Sequence, residues 1–106
     1  MHMLYELPYY AVIFTTTMSK DAEGYEEMAD AMSTLASQQP GYLGHESARN
    51  DLGITVSYWT DEFAIKAWKE KKAHFLAQQK GKAKWYASYT IRVCKVERQY
   101  DFDSNL

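Results

Sequence analysis

A chain of 106 residues with 46% hydrophobic content is long enough for one domain with a real core, yet short enough that self-association is a common supplement. Its formal net charge of -2 offers nucleic acid no global attraction. The single cysteine, Cys94, excludes an internal disulfide and a cysteine-pair zinc site. No apolar run approaches the ~18 residues of a membrane span and no basic-then-apolar leader precedes Tyr9, so a soluble, cytoplasmic, metal-free protein is expected.

Met1 to Pro8 and Asp101 to Leu106 read as loose ends of one domain over 1–106 with its core at about 9–100. Tyr9 to Thr17 is a strand, with Ala11 and Ile13 on one phase and Val12 and Phe14 on the other. Being apolar on both phases, it predicts a central strand covered on both faces. Ser19 or Asp21 is placed to cap a helix. The stripe Ala22, Tyr25, Met28, Ala29, Met32, Leu35 and Ala36 runs at helical steps until Pro40-Gly41 stops it. Tyr42 to Arg49 is more polar, as an edge strand is, and Asn50-Asp51-Leu52-Gly53 reads as a hairpin turn.

Ile54, Val56 and Tyr58 then alternate with Thr55, Ser57 and Trp59, the period of a strand. Thr60 or Asp61 can cap the helix that follows, with Asp61 and Glu62 complementing its dipole and Ala64, Ile65 and Trp68 at helical spacing. This helix continues through Phe75 and Leu76, and Gly81 marks its end or a break. Trp85 to Val96 is the last strand, with Tyr89, Ile91 and Val93 on one phase and Cys94 and Val96 on the other.

The order β-α-β-β-α-β predicts the ferredoxin-like α+β unit, a four-stranded antiparallel sheet with both helices on one face. Two helices cover one side only, while the first and last strands are apolar on both phases. A second copy of the chain is the economical cover, two sheets closing face to face into a barrel-like homodimer.

The strand Tyr9–Thr17, the run Gln-Pro-Gly-Tyr-Leu-Gly at 39–44, the strand-to-helix run Ile54–Trp68 and Trp85-Tyr86 before the last strand resemble the antibiotic biosynthesis monooxygenase domain family, the dimeric α+β barrels. The likeness runs from Tyr9 to about Tyr100. It implies the fold and the homodimer. For activity it implies a cofactor-independent monooxygenase acting on a small aromatic molecule; the alternatives are a non-catalytic ligand-binding or interaction dimer, and a haem-degrading monooxygenase, since one fold hosts many functions.

Haem-degrading members carry a first-strand Asn, a helix Trp and a His ligand further along that helix. Trp68 matches the Trp, the strand Tyr9–Thr17 has no Asn, and Gln78 stands at the ligand position, with His74 the substitute if the helix breaks near Lys71–Ala73. No cofactor is expected. An oxygenase of phenols asks only for a flat apolar pocket, a base near the hydroxyl and exclusion of water. Trp68 and Phe75 share a helix face as a candidate pocket wall, with Trp59, Tyr58, Trp85 and Tyr86 as stacking surface. His74 is the candidate base, with His45 the runner-up, because an ordinary imidazole titrates near neutral pH.

Each residue also has a structural reading. Trp68 and Phe75 fit a core, His74 falls about 120° around the helix from Trp68, His45 fits an edge-strand surface, and Cys94 a buried small hydrophobe. Lys66, Lys69, Lys71 and Lys72, with Lys80, Lys82 and Lys84, read as a solvated basic face or a weak anion site. The glycines form no phosphate loop.

Overall fold

The computed structural model describes residues 5–20, 23–78 and 85–105. Its elements are β1 (Tyr9–Met18), α1 (Tyr25–Ser37), β2 (Tyr42–Arg49), β3 (Gly53–Trp59), α2 (Glu62–Gln78) and β4 (Tyr86–Val96), in the order expected. The strands form one antiparallel sheet, β2-β3-β1-β4, with both helices on one side, the ferredoxin-like fold. β1 is central, as its two apolar phases require, and polar β2 is an edge.

Register assigns the two faces. Tyr10 pairs with Trp59, Val12 with Ser57 and Phe14 with Thr55, so the even-numbered residues of β1 share a side with Trp59. α2 packs on that side by stacking Trp68 on Trp59, ring centroids 6.0 Å apart. α1 reaches it through Tyr25, edge-on to Tyr86 at 5.6 Å. Tyr9 pairs with Val96 and Ala11 with Tyr58, which puts Ala11, Ile13, Val56, Ile54, Cys94 and Val96 on the opposite, helix-free side. Val12 faces the helices and Val96 the open side. Ile54 is 41% exposed there and Cys94 is exposed rather than buried, because no helix covers this face. At one end of it Tyr58 packs against Tyr5 and Tyr9 and donates to Glu46 at 2.5 Å. Burial and that bond push its pKa up to about 12.

The helix starts differ in how they are made. α2 is capped as expected: Asp61 Oδ1 accepts from the Ala64 N–H at 2.7 Å. α1 is not capped by Ser19, whose N–H donates to the Trp85 carbonyl at 2.8 Å and so ties the end of β1 to the start of β4. The chain instead turns into α1 through Gly24 at φ +82° with no side-chain cap. Asp21, Ala22 and Gly81 lie outside the described residues.

Gly41 carries the turn that joins the two halves. It sits at φ +84°, and a Cβ there would lie 2.6 Å from Ala64 Cβ and 2.7 Å from Thr60 Oγ1; its carbonyl accepts from the Thr60 N–H at 2.9 Å. Strain and overlap coincide, so Gly41→Ala is expected to cost roughly 1–3 kcal/mol. Urea unfolding should show a larger loss than the ~1 kcal/mol expected of removing the α2 cap in Asp61→Ala.

Candidate functional site

α2 turns Ala64, Trp68, Lys72 and Phe75 toward the sheet, at steps of four, four and three. Ala64 is buried and the other three are half-buried. Lys72 belongs to the run that its composition predicts as a solvated basic face or a weak anion site, and the structure draws it out of that solvated face. Its position four after Trp68 carries its stem over β1, and its Nζ lies 4.7 Å from the Phe14 ring centroid. Burial lowers its pKa below the ordinary lysine value of 10.5.

Phe14 belongs to an aromatic run. Its ring is 5.4 Å from Tyr86, edge-on, and 5.6 Å from Tyr89, and Tyr86 continues to Tyr25. The Tyr86 phenol has its pKa raised by burial first and by hydrogen bonding with Tyr25 second, with the Arg49 charge opposing. The helices do not cover β4 on this side: Tyr89, Ile91 and Val93, which pair with Thr16, Phe14 and Val12, are 61%, 45% and 49% exposed. The result is an apolar groove beside α2, floored by Phe14 and Val12, with an amine on its α2 wall and phenols along it. At its α1 end it meets an open cleft of about 410 Å³ lined by Met18, Tyr25, Glu26, Glu27 and Arg49.

The residues singled out from sequence separate into layers. Trp68 and Phe75 lie on the sheet-facing side of α2. Trp59 is fully buried beneath Trp68, with its indole N–H donating to Ser57 Oγ at 2.9 Å. Trp85 is buried and donates to the Glu23 carbonyl at 2.9 Å, anchoring the approach to α1. Tyr86 lines the groove. His74 is exposed, on the side of α2 away from Lys72. His45 is exposed, and a bulge between Tyr42 and Gly44 brings it onto the same face as Tyr42, whose hydroxyl lies 2.6 Å from His45 Nδ1. Phe14, Lys72, Tyr89, Tyr25 and Arg49 were missed. Only Lys72 had a usable signal, its four-residue spacing from Trp68. Among the described residues no group of three or more His, Cys, Asp or Glu side chains is placed to hold a metal.

The model of the family described as antibiotic biosynthesis monooxygenase matches residues 8–80. The chain belongs to the antibiotic biosynthesis monooxygenase family. It is 49% identical over 102 residues to the uncharacterized protein YqjZ of Bacillus subtilis (strain 168), covering 94% of this chain and 90% of that protein. Among solved structures it is similar to a variant of SnoaB, a cofactor-independent oxygenase from Streptomyces nogalater, with a TM-score of 0.71 at 14% identity over 86% of this chain and 95% of that one. It is also similar to MhuD, a heme-degrader from Mycobacterium tuberculosis solved with two hemes in its active site, with a TM-score of 0.60 at 19% identity over 89% and 99% of the two chains. At these identities the structures show the fold.

A heme-degrader shares this fold, which makes haem iron the first group to set against the groove's donors. From α2 they are an amine, with the single described imidazole of that helix, His74, on its other side; from the sheet they are phenols, among them Tyr86, whose pKa is raised. A protonated lysine amine has no lone pair for iron, and a tyrosine binds haem iron as its phenolate, a form that the raised pKa of Tyr86 disfavours, so the residues lining the groove fit a haem poorly. The Gln78 side chain lies outside the described residues.

Lys72 makes the site testable through pH. Its pKa is lower folded than unfolded, so between the folded value and 10.5 the unfolded chain holds the extra proton. The desolvation penalty is fully present below that window and is relieved as pH rises through it. Lys72→Met removes the charge and keeps the stem. The variant should be at least as stable as the parent at pH 7, and its advantage should shrink toward pH 10.5, read as the difference in urea midpoints at matched pH.

Proposed function

We propose that the chain is a homodimeric, cofactor-independent monooxygenase whose substrate is a flat phenolic molecule lying in the groove between α2 and the helix-facing side of the sheet. The supporting observation is Lys72, an ammonium drawn out of water and held over Phe14. A cation in an apolar bay stabilises a phenolate far better than one in bulk solvent. The bound phenol then loses its proton to water, and the electron-rich phenolate gives an electron to dioxygen. The two combine as a hydroperoxide on a ring carbon that keeps the one hydrogen it bore, the peroxide oxygen taking up the proton released earlier, and loss of water from that carbon leaves a carbonyl. One oxygen atom enters the substrate, the other leaves as water, and all four electrons come from the substrate. In this reading Trp68 and Phe75 wall the ring, Trp59 backs Trp68, and Tyr86 lies on the floor. The charge-handling role moves from His74 and His45 to Lys72, the polar group on the sheet-facing side of α2.

A panel of polycyclic phenols, followed by oxygen consumption, tests this. Phenol-dependent oxygen uptake is expected, with Lys72→Met lowering kcat about tenfold or more while binding persists. Absence of uptake across the panel would sink the enzymatic reading. Binding without uptake would support the second reading, a ligand-binding dimer, which the 61% exposure of Tyr89 favours because an open groove excludes water poorly.

The dimer is supported by the helix-free face, where Ile13, Val56 and Ile54 form an apolar surface across β1 and β3. Covering it with a second copy buries both patches at once. Sedimentation at micromolar concentration should give about twice the 12.3 kDa chain mass. Ile13→Asp should lower both association and stability, since an unpaired charge would be buried in the interface.

A further inference from the structure

Arg49, Gly53 and Thr16 stand in one row across three strands, Arg49 opposite Gly53 and Gly53 opposite Thr16. The Arg49 side chain lies along this row. It passes over Gly53 and its Nη2 donates to Thr16 Oγ1, a hydroxyl otherwise buried at 2% exposure. A Cβ built on Gly53 would run into the guanidinium, so any other residue there would lift the arginine off the sheet. Its Cζ is 5.7 Å from the Tyr25 ring centroid. Among the described residues its hydrogen-bond partner is the Thr16 hydroxyl, the Tyr25 ring lies against the guanidinium, and its charge also acts on the Tyr86 phenol. A guanidinium has five N–H donors in a planar fork, so most of them remain available on the side that lines the cleft with Tyr25.

This fork is at the α1 end of the aromatic groove. Thr16 is two residues from Phe14 on the same face, a strand step of about 7 Å, and Phe14 carries Lys72 above it. Two cations therefore bracket an aromatic floor across roughly the length of a fused two-ring system.

We propose that the molecule taken by the groove carries a carboxylate at the end opposite its phenol, and that the Arg49 fork, laid flat over Gly53 and held by Thr16, reads that carboxylate. This rests on the reading of the groove as an aromatic site. The paired geometry suits a carboxylate, which a guanidinium binds through two parallel hydrogen bonds. Glu26 and Glu27 at the first turn of α1 line the same cleft, and their charge selects against a more highly charged anion such as a phosphate ester. Lys72 at the far end then meets the phenolate, so each negative group of the ligand faces its own cation.

Three probes that share one two-ring skeleton separate the claims: a hydroxynaphthoate with hydroxyl and carboxylate at opposite ends, the naphthol lacking the carboxylate, and the (aminomethyl)naphthol with a cation in its place. Affinities are measured by titration calorimetry. The parent protein should bind the hydroxynaphthoate about tenfold tighter than the naphthol, the usual worth of a charge-assisted hydrogen bond. This preference should weaken as salt rises. Arg49→Gln should remove it while naphthol affinity stays unchanged, and Arg49→Lys should keep part of it. Gly53→Ala should act like Arg49→Gln, because it displaces the guanidinium without removing it. Equal affinity for hydroxynaphthoate and naphthol, a preference that survives Arg49→Gln, or tighter binding of the (aminomethyl)naphthol would each overturn the assignment and leave the aromatic groove standing. Failure of all three probes to bind would overturn the groove and the carboxylate reader together.

Discussion

Trp59 closes β3 and Trp68 lies nine residues later in α2, and their rings stack at 6.0 Å with 22° between planes. Between them the chain has room only for the Asp61 cap and the first turn of the helix. Once the two indoles are stacked, both the position of α2 over the sheet and its rotation about its own axis are set. That rotation sends Lys72 and Phe75 toward the sheet and His74 away from it. Trp59, fully buried, provides the stack with a rigid base, and Tyr42 meets its other side edge-on at 5.5 Å. The α2 wall of the groove, the desolvated amine and the outward position of His74 follow from this one contact.

The groove combines features that oppose each other in stability. Holding Lys72 out of water costs free energy at neutral pH, partly offset by the ring of Phe14 beneath it. Exposed Tyr89, Ile91 and Val93 leave apolar surface in contact with solvent. Neither arrangement helps the fold by itself. Both are what a site for a flat, weakly acidic molecule needs, since apolar walls bind the ring and a poorly solvated cation stabilises its anion. Function-bearing positions commonly depart from what stability alone would select.

The two faces of the sheet carry different kinds of polar pairing. On the helix-facing side the polar groups are drawn toward the groove: Arg49 to Thr16, Tyr86 to Tyr25. On the open side Tyr58 is bound to Glu46 at one end and Thr17 to Ser88 at the other, with Ile13 and Val56 between them and Arg92 beside Ile13. An aliphatic centre with a polar margin is how an interface core and its rim are built, and it fits the second copy proposed for that face.

Much of the architecture was legible in the linear chain. The double apolar phase of β1, the change of period after Trp59 and the punctuation at Pro40-Gly41 follow from side-chain geometry acting over a few residues, and local geometry is what a sequence pattern records. Trp68, Phe75 and Tyr86 were visible for the same reason. The rest depended on contacts between distant segments. A bulge in β2 moves His45 onto the face of Tyr42; without it, alternation would have put the two on opposite sides. The packing of Trp85 against the loop before α1, not Ser19, determines where that helix begins. Lys72 was marked among its neighbouring lysines only by its four-residue spacing from Trp68, and that spacing acquired a meaning once the Trp59–Trp68 stack turned this side of α2 to the sheet. Arg49, Gly53 and Thr16 are ordinary residues far apart in the chain, and they become a cradle only when the register of three strands sets them in one row.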